Sequence, residues 1–200
     1  MMHKKHKLYL ILLAFLAVLS FIMFFLEDIH DAFFYIGGAA LILWLILAFY
    51  MIGQTIYQDK QIEKNFKVYE KDLDQMIAFC KKGLQKYWIY SITSACHLQL
   101  ATCYLMKNDI QHAKEELAFS KSIHKASYYP NFIIAILEDN MELAKAYYKK
   151  IKAYNFPFED QATMATKMMK MIKTKVFDEE LYQNSQYPCV KEYCLKYKNE

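Results

Sequence analysis

Five cysteines and six histidines are the residues best suited to metal ligation or nucleophilic chemistry in this chain, and their spacing serves neither. Strong zinc sites bring ligands together as C-x2-C pairs, because two thiolates must reach one ion from a tight turn. Cys96 and Cys103 instead lie two helical turns apart on one predicted face, Cys189 and Cys194 flank the run VKEY, and Cys80 stands alone. Buried free thiols are the expectation for all of them. His97 shares the predicted inner face of Cys96 and Cys103 and reads as a packed imidazole. His3 and His6 alternate with Lys4, Lys5 and Lys7, a grouping that suits lipid headgroups better than a metal. His112 and His124 fall on a face of mixed polarity with no partner pattern. The nucleophile motifs G-x-S-x-G and H-E-x-x-H are absent, and no paired carboxylates sit in a loop. Glu115-Glu116 and Glu179-Glu180 lie in helical stretches, as solvated surface or helix-start charge. Outside the apolar amino-terminal region only Gly53 and Gly83 could let a backbone approach a phosphate, and they are thirty residues apart. No catalytic residue, metal ligand or cofactor site is expected.

Composition narrows the classes further. All 25 basic residues are lysine, so the chain has no planar fork for bidentate phosphate or carboxylate recognition. With abundant Ile, Tyr, Phe and Asn, this usage matches AT-rich coding of the kind found in low-GC bacteria. The net charge of +4 is interspersed rather than gathered into a stripe, which speaks against nucleic acid as a partner. Four glycines and three prolines are too few for the regular turns of a β fold. The fold class expected is all-α.

The elements that must position any site begin with two uncharged runs. Leu8 to Leu26 is uncharged throughout, as is Ala32 to Gly53, and Glu27, Asp28, His30 and Asp31 lie between them. About 20 apolar residues in a helix cross a hydrocarbon core of ~30 Å. Lipid leaves exposed backbone groups unsatisfied, so both runs are expected as transmembrane helices, about 8–26 and 32–53. The first exceeds the usual apolar stretch of a signal peptide and lacks a small-x-small site before Glu27. Lysines flank the outer ends (Lys4, Lys5 and Lys7; Lys60, Lys64 and Lys67), while the loop is acidic. The positive-inside rule then puts both termini in the cytoplasm of a multi-pass protein of the plasma (cytoplasmic) membrane. Ala14, Ala17 and Ser20 on the first helix and Gly37 to Ala40 on the second are expected to let the helices touch. No ionisable residue lies within either span, so an anchor is expected rather than an ion path. Residues 1–53 form this anchor, and 54–200 a cytoplasmic helical domain.

In that domain apolar residues recur at helical spacing. Ile62 to Leu84 reads as one long helix or a pair broken near Asp72 or Asp74. Further helices are expected at 88–106, 110–124, 131–137, 141–154 and 159–176, and a short one at 188–197. Pairs of such helices spaced 31–35 residues apart point to an α-solenoid.

The segment His97-Leu-Gln-Leu-Ala-Thr-Cys-Tyr104, followed by Lys107-Asn-Asp-Ile-Gln-His-Ala113, resembles a tetratricopeptide repeat. Leu100, Ala101 and Tyr104 match the first-helix positions of that family, Ala113 the alanine where the helices cross, and Leu117 the aromatic position beyond. His97 stands where tryptophan is typical, Asn108 replaces the turn glycine, and no proline falls near Lys125. A second copy is read at 139–151, with Ala144 at the crossing and Tyr148 at the aromatic position. A third, degenerate copy is read near Asp74 to Leu84 with Ala78 at the crossing. The resemblance covers residues 60–154 and implies a solenoid that binds protein or peptide. The helix at 159–176 would cover its open end.

Aromatic anchors dominate binding energy at interfaces. Tyr90, Tyr104, Tyr128 and Tyr147 are therefore the candidate groove residues, core filling being the ordinary role for the remaining tyrosines. The function expected is a membrane-anchored interaction or scaffold module, whose partners are the lipid bilayer and a protein or peptide. Two alternatives stay open: an accessory subunit of a membrane enzyme or transport complex, and a self-associating structural protein using 54–84 as a homo-oligomer seam.

Overall fold

A chain so poor in turn residues has few ways to leave a helix, and helices are what it forms. The computed structural model describes residues 4–26, 31–69, 72–87, 89–120, 125–154 and 159–198; among these no residue is in a strand. The loop Glu27 to His30, together with His3, Trp88, His124 and Pro157, lies outside the described residues. Two compact units result: residues 1–71 with 85–92, and residues 72–84 with 93–200.

The first unit is built on an antiparallel pair, α1 (Lys4–Phe25) and α2 (Asp31–Tyr69). Both are long and apolar enough to cross a membrane by length and composition. At 1.5 Å per residue, α2 is about 58 Å long. It runs through Gly53 without a break and carries its polar end, Gln58 to Tyr69, on one continuous rod. The covered positions of α1 are Tyr9, Leu13, Leu16, Ser20 and Met23, and those of α2 are Gly37, Ala40, Trp44, Leu47 and Met51. Alternating steps of three and four give the seam of a two-helix coil. Ala14 and Ala17, expected in the seam, are exposed, because the leucines at 13 and 16 take the facing positions.

Ser20 and Gly37 mark the closest approach. The Ser20 hydroxyl donates to the Gly37 carbonyl at 3.1 Å, across the helix pair. A Cβ added at Gly37 would meet Met23 Cβ at 3.2 Å and the Phe24 nitrogen at 3.4 Å, whereas one at Gly38 meets nothing within 4 Å. Gly37→Val is expected to weaken the hairpin by about 1–3 kcal/mol through overpacking. Gly38→Ala serves as the silent control, both read as the midpoint of unfolding on titrating SDS into mild-detergent micelles.

The second unit is a succession of antiparallel helices. It holds α3 (Leu73–Lys86) as far as Leu84 and α4 (Tyr90–Met106) from Thr93 onward. The rest are α5 (Ile110–Phe119), α6 (Tyr128–Leu137), α7 (Met141–Ala153), α8 (Glu159–Thr174), α9 (Glu179–Asn184) and α10 (Pro188–Leu195). Asp72 opens α3 by accepting the Gln75 N–H at 3.0 Å. The register this sets turns Met76, Cys80 and Gly83 inward and leaves Ala78 exposed, so Ala78 is not a crossing residue. Ala113 and Ala144 are fully buried. Helix α5 ends at Phe119 with Ser120 as its C-cap, residues 121–124 of the expected helix lie outside the described residues, and Phe119 is 48% exposed.

One turn closes both α4 and α6, and a looser relative of it closes α8. Asn108, Asp139 and Lys175 follow the ends of α4, α6 and α8 with φ of 62°, 57° and 58°. In each case an Asx side chain then caps the next helix three residues ahead: Asp109 accepts from His112 N, Asn140 from Leu143 N, and Asp178 from Leu181 N. At the first two turns the backbone matches bond for bond. Asp109 N bonds Tyr104 O and Asn140 N bonds Ala135 O, both at 2.8 Å. This is the Schellman pattern that satisfies terminal carbonyls. Asn tolerates the left-handed conformation, so Asn108 can fill a glycine position.

Candidate interaction site

Helices α4 and α5 close on each other through polar links set into an apolar seam. The Ser94 hydroxyl donates to the Ser120 carbonyl at 3.0 Å, and His97 Nδ1 lies 2.6 Å from Glu116 Oε2 with its ring stacked on Phe119 at 5.1 Å. A half-buried imidazole with one nitrogen held by a carboxylate packs as a polar bridge between helices. His112, which showed no partner pattern in the sequence, pairs its Nδ1 with Asp109 Oδ2 at 2.7 Å. The Asx cap positions that contact, and the i,i+3 spacing was its available signal.

The four candidate tyrosines stand in different surroundings. Tyr90 is half-buried and belongs with the hairpin unit. Tyr104, at 8% exposure, is packed rather than presented: its ring stacks on His112 at 5.2 Å, and the Lys81 ammonium lies 5.8 Å from it. Tyr128 and Tyr147 do come together, since Lys150 lies 5.5 Å from one ring and 5.3 Å from the other. Tyr154 joins them, 6.3 Å from Tyr128, with Lys125 only 4.2 Å from its ring. Tyr154 and Lys125 were missed by sequence reasoning. The i,i+3 step from Tyr147 to Lys150 was visible, but the Lys125–Tyr154 contact exists only through the α6–α7 fold.

The chain's own end also packs against these helices. Helix α10 packs on α6: Asn108, in the turn after α4, donates to Glu192 at 3.2 Å, and Tyr187, the N-cap of α10, lies 6.2 Å from Tyr129. Its own Cys189, Val190 and Cys194 are almost wholly buried. A cavity of about 290 Å³ persists beside this cover, lined by Tyr129, Asp160, Gln161, Met164 and residues 184–187. A shallower cleft of about 500 Å³ lies along α7 and α8, lined by Lys152, Glu159, Ala162, Thr163, Thr166 and Lys167. Lys167 is already engaged by Glu180.

All five cysteines are free and buried. Burial pushes the Cys103, Cys189 and Cys194 thiols up to about 11, and the hydrogen bond to Cys96, with burial, raises Cys80 as well. Desolvation also lifts Tyr187 to about 12. Such thiols stay protonated at neutral pH and make poor nucleophiles. Groups raised in the folded state ionise first in the unfolded chain, so the folded chain holds more protons between the two values. Stability is therefore expected to be full below the ordinary thiol value of 9.0 and to fall as pH rises through about 11. Urea midpoints between pH 7 and 11 measure the decline.

Among the described residues no group of three or more His, Cys, Asp and Glu is placed to hold a metal ion. No family model, curated protein or solved structure matches the chain.

Proposed function

We propose that this chain is a membrane-tethered protein-interaction module. Helices α1 and α2 insert as a hairpin with both ends in the cytoplasm, and the helices beyond act as a tetratricopeptide-like solenoid that binds a protein or peptide partner. The observation that carries the reading is the outer surface of the hairpin. Leu8, Ile11, Phe15, Phe21, Ile46 and Phe49 are 60–69% exposed, and no charge breaks the surface they form. An uncharged apolar surface on both helices matches lipid as its solvent. The turn shared by the ends of α4 and α6 and the buried Ala113 and Ala144, one per helix pair, support the repeat reading. Tethering raises the local concentration of any partner that visits the membrane.

The test places a single reporter in the loop. Asp28→Cys is expected to react with a membrane-impermeant maleimide added outside intact cells, while the native buried thiols stay silent. Labelling only after the membrane is permeabilised would invert the sidedness. A photocrosslinker at Thr163, in the cleft along α7 and α8 of the membrane-embedded protein, is expected to yield one discrete heterologous adduct, and a ladder of self-adducts would replace the module by a self-associating protein.

A further inference from the structure

Some lysines of the second unit meet carboxylates across helices, Lys107 with Asp74, Lys114 with Glu138 and Lys167 with Glu180, and others lie over rings, as Lys81 does on Tyr104, Lys175 on Tyr197 and Lys191 on Tyr182. At one place two such lysines gather with three tyrosines. At the junction of the 3₁₀ turn Lys125–Ser127 with α6 and the end of α7, Lys125 and Lys150 contact only tyrosine rings, those of Tyr128, Tyr147 and Tyr154. Among the described residues neither lysine has a carboxylate at ion-pair distance. Lys149 stands exposed beside them, and Tyr154 is 45% exposed. The sole acid of α7, Glu142, sits in its first turn at the other end of the helix.

We propose that this lysine–tyrosine patch docks on anionic lipid headgroups of the membrane that holds the chain. Lysine supplies charge attracted to an anionic leaflet, and tyrosine is the side chain that settles at the headgroup level, with its ring apolar and its hydroxyl wet. The cation–π contacts hold the ammonium groups beside the rings, so both chemistries reach one surface together. An acidic peptide would satisfy the charge. The bilayer is favoured because the tether keeps it at high effective concentration, whereas a peptide must bind from solution. The inference rests on the tethered reading above.

The experiment uses the full chain reconstituted in vesicles of phosphatidylcholine alone, or with roughly a quarter phosphatidylglycerol, the anionic surface that attracts lysine. Acetylation of individual lysines is followed by mass spectrometry. Lys149 and Lys150 are expected to react about threefold or more slowly in the anionic vesicles, reverting in high salt, as screening over a few ångströms demands. Lys170 on α8, outside the patch, serves as the internal control. The double variant Lys125→Gln with Tyr154→Ala is expected to lose the protection while keeping its circular dichroism. Equal rates in both vesicles, with the chain still floating with lipid, would overturn the docking surface and leave the tether standing. A chain that does not float with either vesicle would end both. Protection by a soluble poly-glutamate peptide equal to that by anionic lipid would assign the patch to acidic polypeptides and overturn the proposal.

Discussion

Phe132→Ala is expected to destabilise the second unit by about 3–5 kcal/mol, the range for emptying a fully buried phenylalanine site. Phe132 is wholly inaccessible, lies 6.3 Å ring to ring from both Tyr129 and Tyr148, and so joins α6 to α7. Large neighbouring rings collapse poorly into the space left behind, which puts the loss at the upper end. Domains of this size hold a net stability of roughly 5–15 kcal/mol, so the variant sits near the edge of folding. Phe119→Ala removes the same ring from a 48% exposed site and is expected to change stability by about 1 kcal/mol or less. Urea unfolding followed by circular dichroism separates the two. Equal losses would mean that Phe119 is covered in solution.

The second large effect concerns the hairpin. Ser20 opposite Gly37 and Tyr9 near Tyr50 fix the antiparallel register, which brings Phe15 and Ile42 to similar depth near the middle of the pair. Both side chains point away from the partner helix, each 60% exposed. Lysine at a helix centre costs about 2.5–3.5 kcal/mol on insertion scales, and two central lysines leave little room to reach the interface. Phe15→Lys with Ile42→Lys is expected to move most of the chain out of the alkali-resistant membrane fraction. Lys60 and Lys64, on the polar end of α2, are the native counterexample. If the double variant stays fully membrane-integrated, lipid is not what covers these positions.

Several features were legible in the residues themselves. Two uncharged runs separated by acids specify two apolar helices, because no other regular structure satisfies its backbone within one apolar segment. Lys107-Asn108-Asp109 and Glu138-Asp139-Asn140 each combine a residue tolerant of the left-handed region with an Asx cap, and that local chemistry terminates one helix and starts the next. The buried thiols follow from apolar flanks at helical spacing. Helix ends were less legible: α6 starts at Tyr128, ahead of Pro130, because a first-turn proline needs no N–H partner wherever in that turn it falls.

Facing directions were decided by packing. Ala14, Ala17 and Ala78 are small enough to lie at a crossing, yet each is exposed, because neighbouring helices set the rotation of a helix about its axis. The candidate tyrosines dispersed for the same reason. Tyr104 turned into contact with α5, while Tyr128 and Tyr147 met around Lys150, which helical spacing offered to Tyr147 but only packing brought to Tyr128. The placement of α10 on α6 and beside the turn after α4 joins residues more than eighty positions apart, as Asn108 to Glu192 shows, and no local pattern encodes such a contact. Periodicity, charge and turn chemistry act over a few residues, and by themselves they determined that the chain is helical, where its apolar spans lie and how its turns are made. Which face each helix buries, and which lysines go without a carboxylate, are properties of the packed whole, because they depend on side chains brought together only after the helices have chosen their neighbours.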